Sequence, residues 1–323
     1  MILPRFEYHQ PTTIDDALKA ARALSDRQQP FDYVAGGTDL LPNYKQRLNN
    51  RAHVISLSHI AELRAISPSR IGALATLQEI ERSPDLQSIP VLAKAASQIA
   101  SPLLRAAGTL GGNLLLETRC YYFNQSEFWR EAKGGCLKEG GKVCLVVPNE
   151  TVCYATYSGD LAPVLMTLGA SIELRGFTGS RFLPLADFFS PDGIAKNVRS
   201  REEILLAVHL PDDARRAQAS YEKLRVRDTI DFPLLGLAAA LWRTPSGDIE
   251  KLRVAATATD TVPLLFEDLT ASAIGNRLTP LLIDRISAGV KKRVQPVKNV
   301  SLRPLYRKKM AEVLTRRLLT SLG

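Results

Sequence analysis

The sequence lacks long apolar runs and is sparing with the residues that bind metals or form disulfides. Its 323 residues include four Cys and four His. No stretch approaches about 18 uninterrupted apolar residues, so we expect no transmembrane helix. The opening MILPRFEYHQPTTIDD has no basic region followed by an apolar run, so we expect no secretory signal. These absences predict a cytoplasmic protein with reduced thiols and without a membrane as a partner.

Familiar catalytic and nucleotide-binding motifs are missing as well. The chain contains neither a G-x-G-x-x-G fingerprint nor a G-x4-G-K-[ST] loop, which argues against a Rossmann or Walker site. The histidines, His9, His53, His59 and His209, have no metal-binding spacing, and we interpret them as structural or solvated. No Ser/His/Asp arrangement stands out. We therefore predict no catalytic residue in this chain, which suits a redox carrier because the cofactor performs the chemistry.

The excess of positive over negative charge is confined to the C-terminal end of the chain. Residues 291–323 hold ten Lys or Arg and one acid, Glu312, and so account for the whole formal net charge of +9. From Leu302 this tail predicts an amphipathic helix. Its apolar positions are Leu305, Met310, Val313, Leu314, Leu318 and Leu319. We favour a solvated helix face or a subunit contact over nucleic-acid binding, since no zinc-finger, helix-turn-helix or RNA-stacking motif accompanies the charge.

The four cysteines are concentrated in one stretch. Cys120, Cys136, Cys144 and Cys153 all fall within 34 residues, with the spacing C-x15-C-x7-C-x8-C. Structural zinc sites commonly use close pairs such as C-x2-C, and none is present. Widely spaced single cysteines suit an iron–sulfur cluster better, although the familiar ferredoxin spacings are also absent. The spacing favours a cluster and leaves zinc or unrelated thiols open.

Two Gly-Gly turns, at 36–37 and 111–112, each follow an apolar element. Thr38 and Asp39 flank the first turn, and Thr109 and Asn113 flank the second. Such turns supply converging backbone N–H donors without an obstructing Cβ, which a phosphate needs. One turn alone is more often a tight bend than a ligand loop. Two in one α/β region are compatible with the pyrophosphate of a dinucleotide.

Helix and strand signals alternate through the first part of the chain and then give way to strands. Thr13 and Thr76 each open a predicted helix, the second with a capping box to Glu79, and a further helix is predicted over Ile89–Ser101. Asp160 is predicted to cap a helix that ends at Gly169. The predicted strands are Phe31–Val34, Val54–Leu57, Ile71–Ala75, Ser171–Leu174, Tyr221–Val226, Leu234–Trp242 and Leu252–Ala258. We place a domain boundary near residue 216.

Five segments together are recognisable in their order along the chain. They are AGGTDLLP at 35–42, ATLQEI at 75–80, IASPLLRAAGTLGGNL at 99–114, GDLAPVLMTLGA at 159–170 and YEKLRVRDTIDFPLLG at 221–236. They resemble the flavoprotein subunits of the xanthine dehydrogenase family of molybdenum hydroxylases. In ordinary members about a dozen residues join the second glycine turn to the next helix, a normal length for a connection. Here 45 residues separate Asn113 from Gly159, and they contain all four cysteines.

The inserted residues have a resemblance of their own. TRCYYFNQSEFWR at 118–130, GGCLKEGGKVC at 134–144 and CYATYSGD at 153–160 resemble the beta subunits of the 4-hydroxybenzoyl-CoA reductase family, in which a similar loop carries a [4Fe–4S] cluster. The resemblance implies that Cys120, Cys136, Cys144 and Cys153 are the ligands of such a cluster.

The same resemblance implies the fold and the flavin site. We expect an α+β protein: an α/β FAD-binding domain over 1–216, not of the Rossmann type, with an inserted iron–sulfur loop at about 117–157, and a C-terminal domain over 217–323 made of a small antiparallel sheet plus helices. The implied FAD contacts are Val34, Ala35, Gly36, Gly37, Thr38, Asp39, Leu40, Leu41, Ala100, Ser101, Thr109, Gly112, Asn113, Asp160 and Lys223. Lys223 lies in an alternating strand, so a position facing water is the competing interpretation.

The function implied by the resemblance is electron transfer. A reduced ferredoxin would supply electrons to the cysteine cluster, which would pass them through FAD to a [2Fe–2S] small subunit and a molybdopterin-containing large subunit, in a dimer of heterotrimers. The large subunit would remove the hydroxyl of 4-hydroxybenzoyl-CoA and release benzoyl-CoA. One alternative is the flavin subunit of an aromatic or purine-type hydroxylase that delivers electrons to an external acceptor. The other is a nucleic-acid-binding protein with a metal module and no flavin.

Overall fold

Three β-sheets organise the chain in the computed structural model, which describes residues 2–323. The strands are β1 (Glu7–His9), β2 (Phe31–Val34), β3 (His53–Ser56), β4 (Arg70–Gly72), β5 (Ser171–Gly176), β6 (Gly179–Pro184), β7 (Ile204–His209), β8 (Gln218–Leu224), β9 (Leu235–Arg243), β10 (Ile249–Thr257) and β11 (Leu264–Leu265). The helices are α1 (Ile14–Asp26), α2 (Leu40–Lys45), α3 (Leu77–Arg82), α4 (Pro90–Ser97), α5 (Pro102–Ala107), α6 (Leu110–Leu114), α7 (Glu127–Ala132), α8 (Leu161–Leu168), α9 (Glu267–Thr270), α10 (Pro280–Arg293) and α11 (Pro304–Thr320).

The first sheet is parallel, in the order β1-β3-β2. Helix α1 connects β1 to β2, and the side chain of Thr13 caps it by accepting a hydrogen bond from the N–H of Asp16. Apolar residues of α1 pack with Phe31 and Ile55 of the sheet in one buried cluster. The β–α alternation predicted for this part of the chain is confirmed.

The second sheet, in the order β4-β7-β5-β6, is antiparallel. It shares the largest hydrophobic core with α3, α4 and α8. The predicted capping box is present at α3, where Thr76 and Glu79 bond each other's backbone N–H groups. Helix α8 ends at Gly169, whose φ of +80° is the left-handed conformation that favours glycine.

The third sheet is antiparallel, in the order β11-β10-β9-β8, and places β9 between two layers. Side chains on one face of β9, such as Leu237 and Leu241, pack against α10 and α11. Those on its other face, including Trp242, join the core of the second sheet and α8. Burial on both faces explains why the sequence of β9 is an almost continuous run of apolar residues. The predicted α+β class, with antiparallel strands and helices in the C-terminal part, is confirmed.

Several local predictions need correction. The helix predicted over Ile89–Ser101 ends at Ser97. Leu305, predicted to face the core, is 82% exposed at the start of α11. Arg307, counted with the solvated charge, is 0% exposed and donates hydrogen bonds to the carbonyl oxygens of Leu234, Val297 and Ala258. The tail helix therefore buries one of its cations as a structural donor.

Across residues 2–323, no helix has the length and apolar character needed to cross a membrane.

Candidate cofactor-binding site

The first glycine turn joins β2 to α2 and packs closely against a second segment. A side chain at Gly36 would collide with the backbone carbonyl of Ala107 at the end of α5, so only glycine allows this contact. Gly37 has a φ of +68°. In the described chain, 2–323, the N–H groups of Gly36, Gly37 and Thr38 have no protein acceptor. Three adjacent backbone donors are thus available to an anionic group.

The second glycine turn is built differently, because its backbone donors are used within the protein. Thr109 caps the short α6 by accepting from the N–H of Gly112 at 3.1 Å. The N–H of Gly111 donates to the carbonyl of Ala73 at 2.8 Å, and that of Asn113 to the carbonyl of Thr109. This turn forms a wall of the site and does not offer a second set of backbone donors.

Ala100 has a strained backbone that helps to shape the same region. Its φ is +48°, in the left-handed region that is costly for a residue with a Cβ. Its carbonyl oxygen accepts hydrogen bonds from the Thr229 hydroxyl and the Ile230 N–H, both at 3.1 Å. The neighbouring Ser101 caps α5 through its hydroxyl. The segment is thereby fixed against the loop that follows β8.

Asp160 and Lys223 form a buried pair at the start of α8. Their side chains are 3% and 1% exposed, and the Lys223 Nζ lies 2.9 Å from Asp160 Oδ1. The Tyr221 hydroxyl donates to the same oxygen at 2.8 Å, and Lys223 also donates to the carbonyl of Gln98. Burial raises the pKa of Asp160, and the charge of Lys223 opposes that shift. The competing interpretation of Lys223 as facing water is wrong, and the predicted side-chain cap by Asp160 is absent because its carboxylate is used here.

The structure brings most of the predicted flavin residues into one region. Loop 34–41 contacts Ala107 and Gly108, which precede the second turn. The side chain of Asn113 accepts from the N–H of Leu161 at 3.0 Å and so joins the second turn to α8 and Asp160. Lys223 reaches back to Gln98, two residues before Ala100. The resulting region combines free backbone donors with a buried charged pair, which suits a nucleotide cofactor.

The four cysteines line a single cavity and are 5–8% exposed. All four thiols are unbridged. Burial raises the pKa of Cys120 to about 11 and also raises the pKa of Cys136 and Cys153. The thiols of Cys120, Cys136 and Cys153 are therefore protonated at neutral pH, and a metal would have to displace those protons to bind them.

The separation of the sulfur atoms bears on which metal group they could hold. In a tetrahedral site with Zn–S bonds of about 2.3 Å, sulfur atoms lie about 3.8 Å apart. Among the residues described, no three of the four sulfur atoms lie within 4.8 Å of one another. A cubane presents its thiolates with separate iron corners and needs wider spacing. As they stand, the four sulfur atoms do not have the close mutual spacing of a closed zinc site.

The insertion that carries the cysteines is anchored at several points. An antiparallel bridge between Arg119 and Thr156 closes its base. The buried side chain of Arg130 donates to the carbonyl oxygens of Gln46 and Arg47, at the end of α2. From the C-terminal part, Asn299 bonds the Thr156 hydroxyl, at 2.8 Å. The insertion is thus packed onto the loop region of the first sheet and onto the segment before α11.

A charged network that sequence reasoning missed connects the cysteine site to the first glycine turn. The guanidinium of Arg119, the residue before Cys120, pairs with the carboxylate of Asp39. The N–H of Glu117 donates to the same carboxylate at 2.9 Å. Burial alone would raise the pKa of Glu117, but Lys196 and Lys138 outweigh it and hold that pKa at about 2. The charged residues Glu117 and Arg119, just before Cys120, were the available signal in the sequence. Their partners could not be predicted because they are distant in sequence.

Two family models together match nearly the whole chain. Residues 4–213 match the family model described as the FAD binding domain in molybdopterin dehydrogenase, and residues 219–322 match the CO dehydrogenase flavoprotein C-terminal domain. The chain is 31% identical to the aldehyde oxidoreductase FAD-binding subunit of Escherichia coli, over 71% of this chain and 77% of that protein. It is 26% identical to the nicotinate dehydrogenase FAD-subunit of Eubacterium barkeri, over 96% of each.

A solved structure of carbon monoxide dehydrogenase from Hydrogenophaga pseudoflava is similar in fold. It superimposes with a TM-score of 0.79 at 25% sequence identity, covering 99% of this chain and 98% of that one. The first matched family model ends at residue 213 and the second begins at residue 219, so the boundary predicted near residue 216 lies between them. Their descriptions name FAD and a flavoprotein, and neither names an iron–sulfur group.

Proposed function

The chain belongs to the FAD-binding oxidoreductase subunits of the molybdenum hydroxylase family, and from that premise we propose that it exchanges electrons between FAD and a [4Fe–4S] cluster held by Cys120, Cys136, Cys144 and Cys153. The observation that carries the proposal is the single cavity lined by these four buried thiols. A second supporting observation is that, among the residues described, no three of the four sulfur atoms lie mutually within 4.8 Å, whereas a closed zinc site would hold them about 3.8 Å apart.

For FAD, we propose that the first glycine turn holds the pyrophosphate. Gly36, Gly37 and Thr38 have backbone N–H groups without protein acceptors, which matches the need of two phosphates for converging donors. Asp160 and Lys223 would support the site from within the protein, because Tyr221 fixes their buried pair. The bound flavin would supply electron exchange, and the chain supplies position and exclusion of water.

We further propose that the partner molybdenum subunit carries out reductive dehydroxylation of 4-hydroxybenzoyl-CoA. That reaction consumes two electrons and two protons and releases benzoyl-CoA and water. A thiolate-ligated cluster can have a strongly negative potential, which suits the reduction of an aromatic ring. The proposed assembly pairs this chain with a molybdopterin-containing subunit and a [2Fe–2S] subunit in the reducing cytoplasm.

A basic groove beside the cysteine insertion suits an acidic electron donor such as a ferredoxin. The groove, of about 630 Å³, is lined by Tyr121 of the insertion, by Lys298 and by residues 300–305. The Tyr121 hydroxyl lies 2.6 Å from the Ser301 hydroxyl, so the groove wall is continuous with the loop that holds Cys120. Lys298 and Arg303 are exposed there and would attract acidic side chains.

The second candidate function has electrons leaving the chain. Relatives along nearly the whole length include proteins named as nicotinate dehydrogenase and carbon monoxide dehydrogenase subunits. These names favour a flavin subunit that delivers electrons from an oxidised substrate to an external acceptor. In that case the cysteine cavity would hold an additional relay on the outward route.

The cofactor proposal is tested by iron, sulfide and flavin analysis of the anaerobically purified chain. We expect about four irons and one FAD per chain, with loss of iron and retention of FAD in Cys136→Ser. The matched control is Lys142→Gln, an exposed position in the same insertion that should retain both. Zinc in place of iron, or full iron in Cys136→Ser, would contradict the proposed ligand set.

The direction of electron flow is tested on the assembled complex. Turnover of 4-hydroxybenzoyl-CoA with reduced ferredoxin supports the first function, and only acceptor-dependent oxidation of an aromatic or purine substrate supports the second. Lys298→Glu with Arg303→Glu should slow ferredoxin-linked reduction in a salt-sensitive way. Lys292→Glu, exposed in the same basic tail but outside the groove, is the control. Dissociation of the complex by the groove variants would instead indicate a subunit contact.

A further inference from the structure

A second group of potential metal ligands lies on the first sheet, on strands β1 and β3. Glu7 and His9 are two residues apart on β1, so their side chains project from the same face. The parallel register places Glu7 directly beside His53 of β3. Strand pairing thus brings together two histidines that lie 44 positions apart in the sequence.

The donor atoms of the three side chains are close to the spacing of a metal coordination sphere. His9 Nε2 lies 3.2 Å from His53 Nδ1. The carboxylate oxygens of Glu7 lie 3.6 Å from His9 Nε2 and 3.4 Å from His53 Nδ1. In a tetrahedral zinc site with bonds of about 2.0–2.1 Å, neighbouring ligand atoms are about 3.3–3.4 Å apart. The three observed separations bracket that value.

The chemistry and exposure of the group also fit a metal ion. Two imidazoles with one carboxylate are a ligand set that zinc uses when it keeps a fourth position for water. The side chain of His53 is 11% exposed and that of Glu7 is 66% exposed. The buried side of the site is therefore fixed by the sheet, and its other side is open for the entry of an ion and for a coordinated water.

Among the residues that the structure describes, the remaining two histidines, His59 and His209, are not part of such a group of three potential ligands. His209 pairs with Glu173, but the other charged neighbour of that carboxylate is Arg70, a cation that cannot act as a ligand. His59 is exposed. Within residues 2–323, the set of Glu7, His9 and His53 is the single group of three such side chains with ligand atoms mutually within 4.8 Å.

We propose that Glu7, His9 and His53 bind a divalent transition-metal ion of the zinc class, which links the edge strand β1 to β3. This site is separate from the cysteine cavity and does not depend on the proposed redox function. Its ligands come from two strands that are joined only by the short β1–β3 ladder. An ion held by both strands would therefore protect the edge of the sheet from fraying.

The test is titration of the untagged, flavin-loaded full chain with Zn²⁺, together with a Co²⁺ spectrum. Co²⁺ at this site should show visible d–d bands without the thiolate-to-cobalt charge-transfer bands that cysteine ligands produce. Glu7→Gln and His9→Gln should each weaken Zn²⁺ binding at least about 100-fold, since loss of a mere hydrogen-bond partner of a ligand already costs about 10–100-fold. His59→Gln is the matched control and should bind as the unmodified chain does.

Two results would overturn the proposal. One is Zn²⁺ affinity unchanged in both Glu7→Gln and His9→Gln. The other is a Co²⁺ spectrum with thiolate charge transfer only, which would assign the ion to the cysteines. Glu7 and His9 are chosen over His53 because their side chains are more exposed, so both variants should fold. Equal flavin content in all variants verifies this.

Discussion

Removal of the Lys223 ammonium tests the buried pair beside the proposed flavin site. In Lys223→Met the Asp160 carboxylate would keep the Tyr221 hydrogen bond, at 2.8 Å, but lose the cation that pairs with it at 2.9 Å. Breaking a buried ion pair by removing one partner costs about 3–5 kcal/mol. With an m-value of about 3 kcal/mol/M, the urea midpoint should fall by roughly 1–1.7 M.

The dependence on pH follows from the pKa of Asp160, which burial raises above its ordinary value of 3.8. An acid with a raised pKa in the folded state binds more protons there than in the unfolded chain, so stability falls as pH rises through that window. Lys223→Met raises this pKa further. The cost of the substitution should therefore be largest at neutral pH and should become smaller as the pH falls and the carboxyl takes up its proton.

Two further variants make this result decisive. Asp160→Asn combined with Lys223→Met removes the uncompensated charge and should recover part of the lost stability. Lys94→Met removes the cation of an exposed pair with Glu222, both side chains about 42–43% exposed, and should cost only about 0–1 kcal/mol. Urea unfolding of flavin-free protein measures each value. Equal costs for Lys223→Met and Lys94→Met, or no recovery in the double variant, would refute the reasoning.

Three other positions give sharp expectations. Gly36→Ala should abolish FAD retention on gel filtration, because the new Cβ would collide with the carbonyl of Ala107 and separate the two glycine turns. Arg307→Glu should lower the urea midpoint by at least the equivalent of about 3 kcal/mol, because it replaces a buried donor to three carbonyls with a charge. The exposed Lys309→Glu should change it little, and equal effects would contradict the burial of Arg307. In metal-free protein, alkylation of Cys120 should be slow at pH 7 and accelerate towards pH 11, since burial raises its pKa to about 11; a rate like that of an exposed thiol would contradict this.

Local signals in the sequence predicted much of the fold. The caps at Thr13 and Thr76 and the stop at Gly169 depend on side chains and backbone conformations within a few residues. Three of the four strands of the third sheet were predicted within a few residues, and the apolar run of β9 reflects its burial on both faces. The two-residue strand β11 was not predicted. Such features survive in any tertiary context that uses the same helix or strand.

Long-range partners could not be predicted in this way. Arg307 lies in a run of basic residues that is otherwise solvated, and only the carbonyl oxygens of distant loops distinguish it. Asp160 has the sequence position of a helix cap. Its carboxylate instead accepts a hydrogen bond from Tyr221 and pairs with Lys223, both on β8. In each case a local preference was overridden by a buried group that needed a charge or a hydrogen bond.

The cysteine insertion shows how the two kinds of information combine. Its length and its four thiols are evident from the sequence, whereas its attachment is evident only from contacts. Arg119 pairs with Asp39 at the start of α2, and the next residue in the chain is Cys120. Because one arginine contacts the first glycine turn and its neighbour lines the cysteine cavity, the two sites are connected through a single peptide unit. An insertion attached elsewhere on the surface could carry the same four thiols, but it would lack this direct contact with the residues that we propose hold the flavin pyrophosphate.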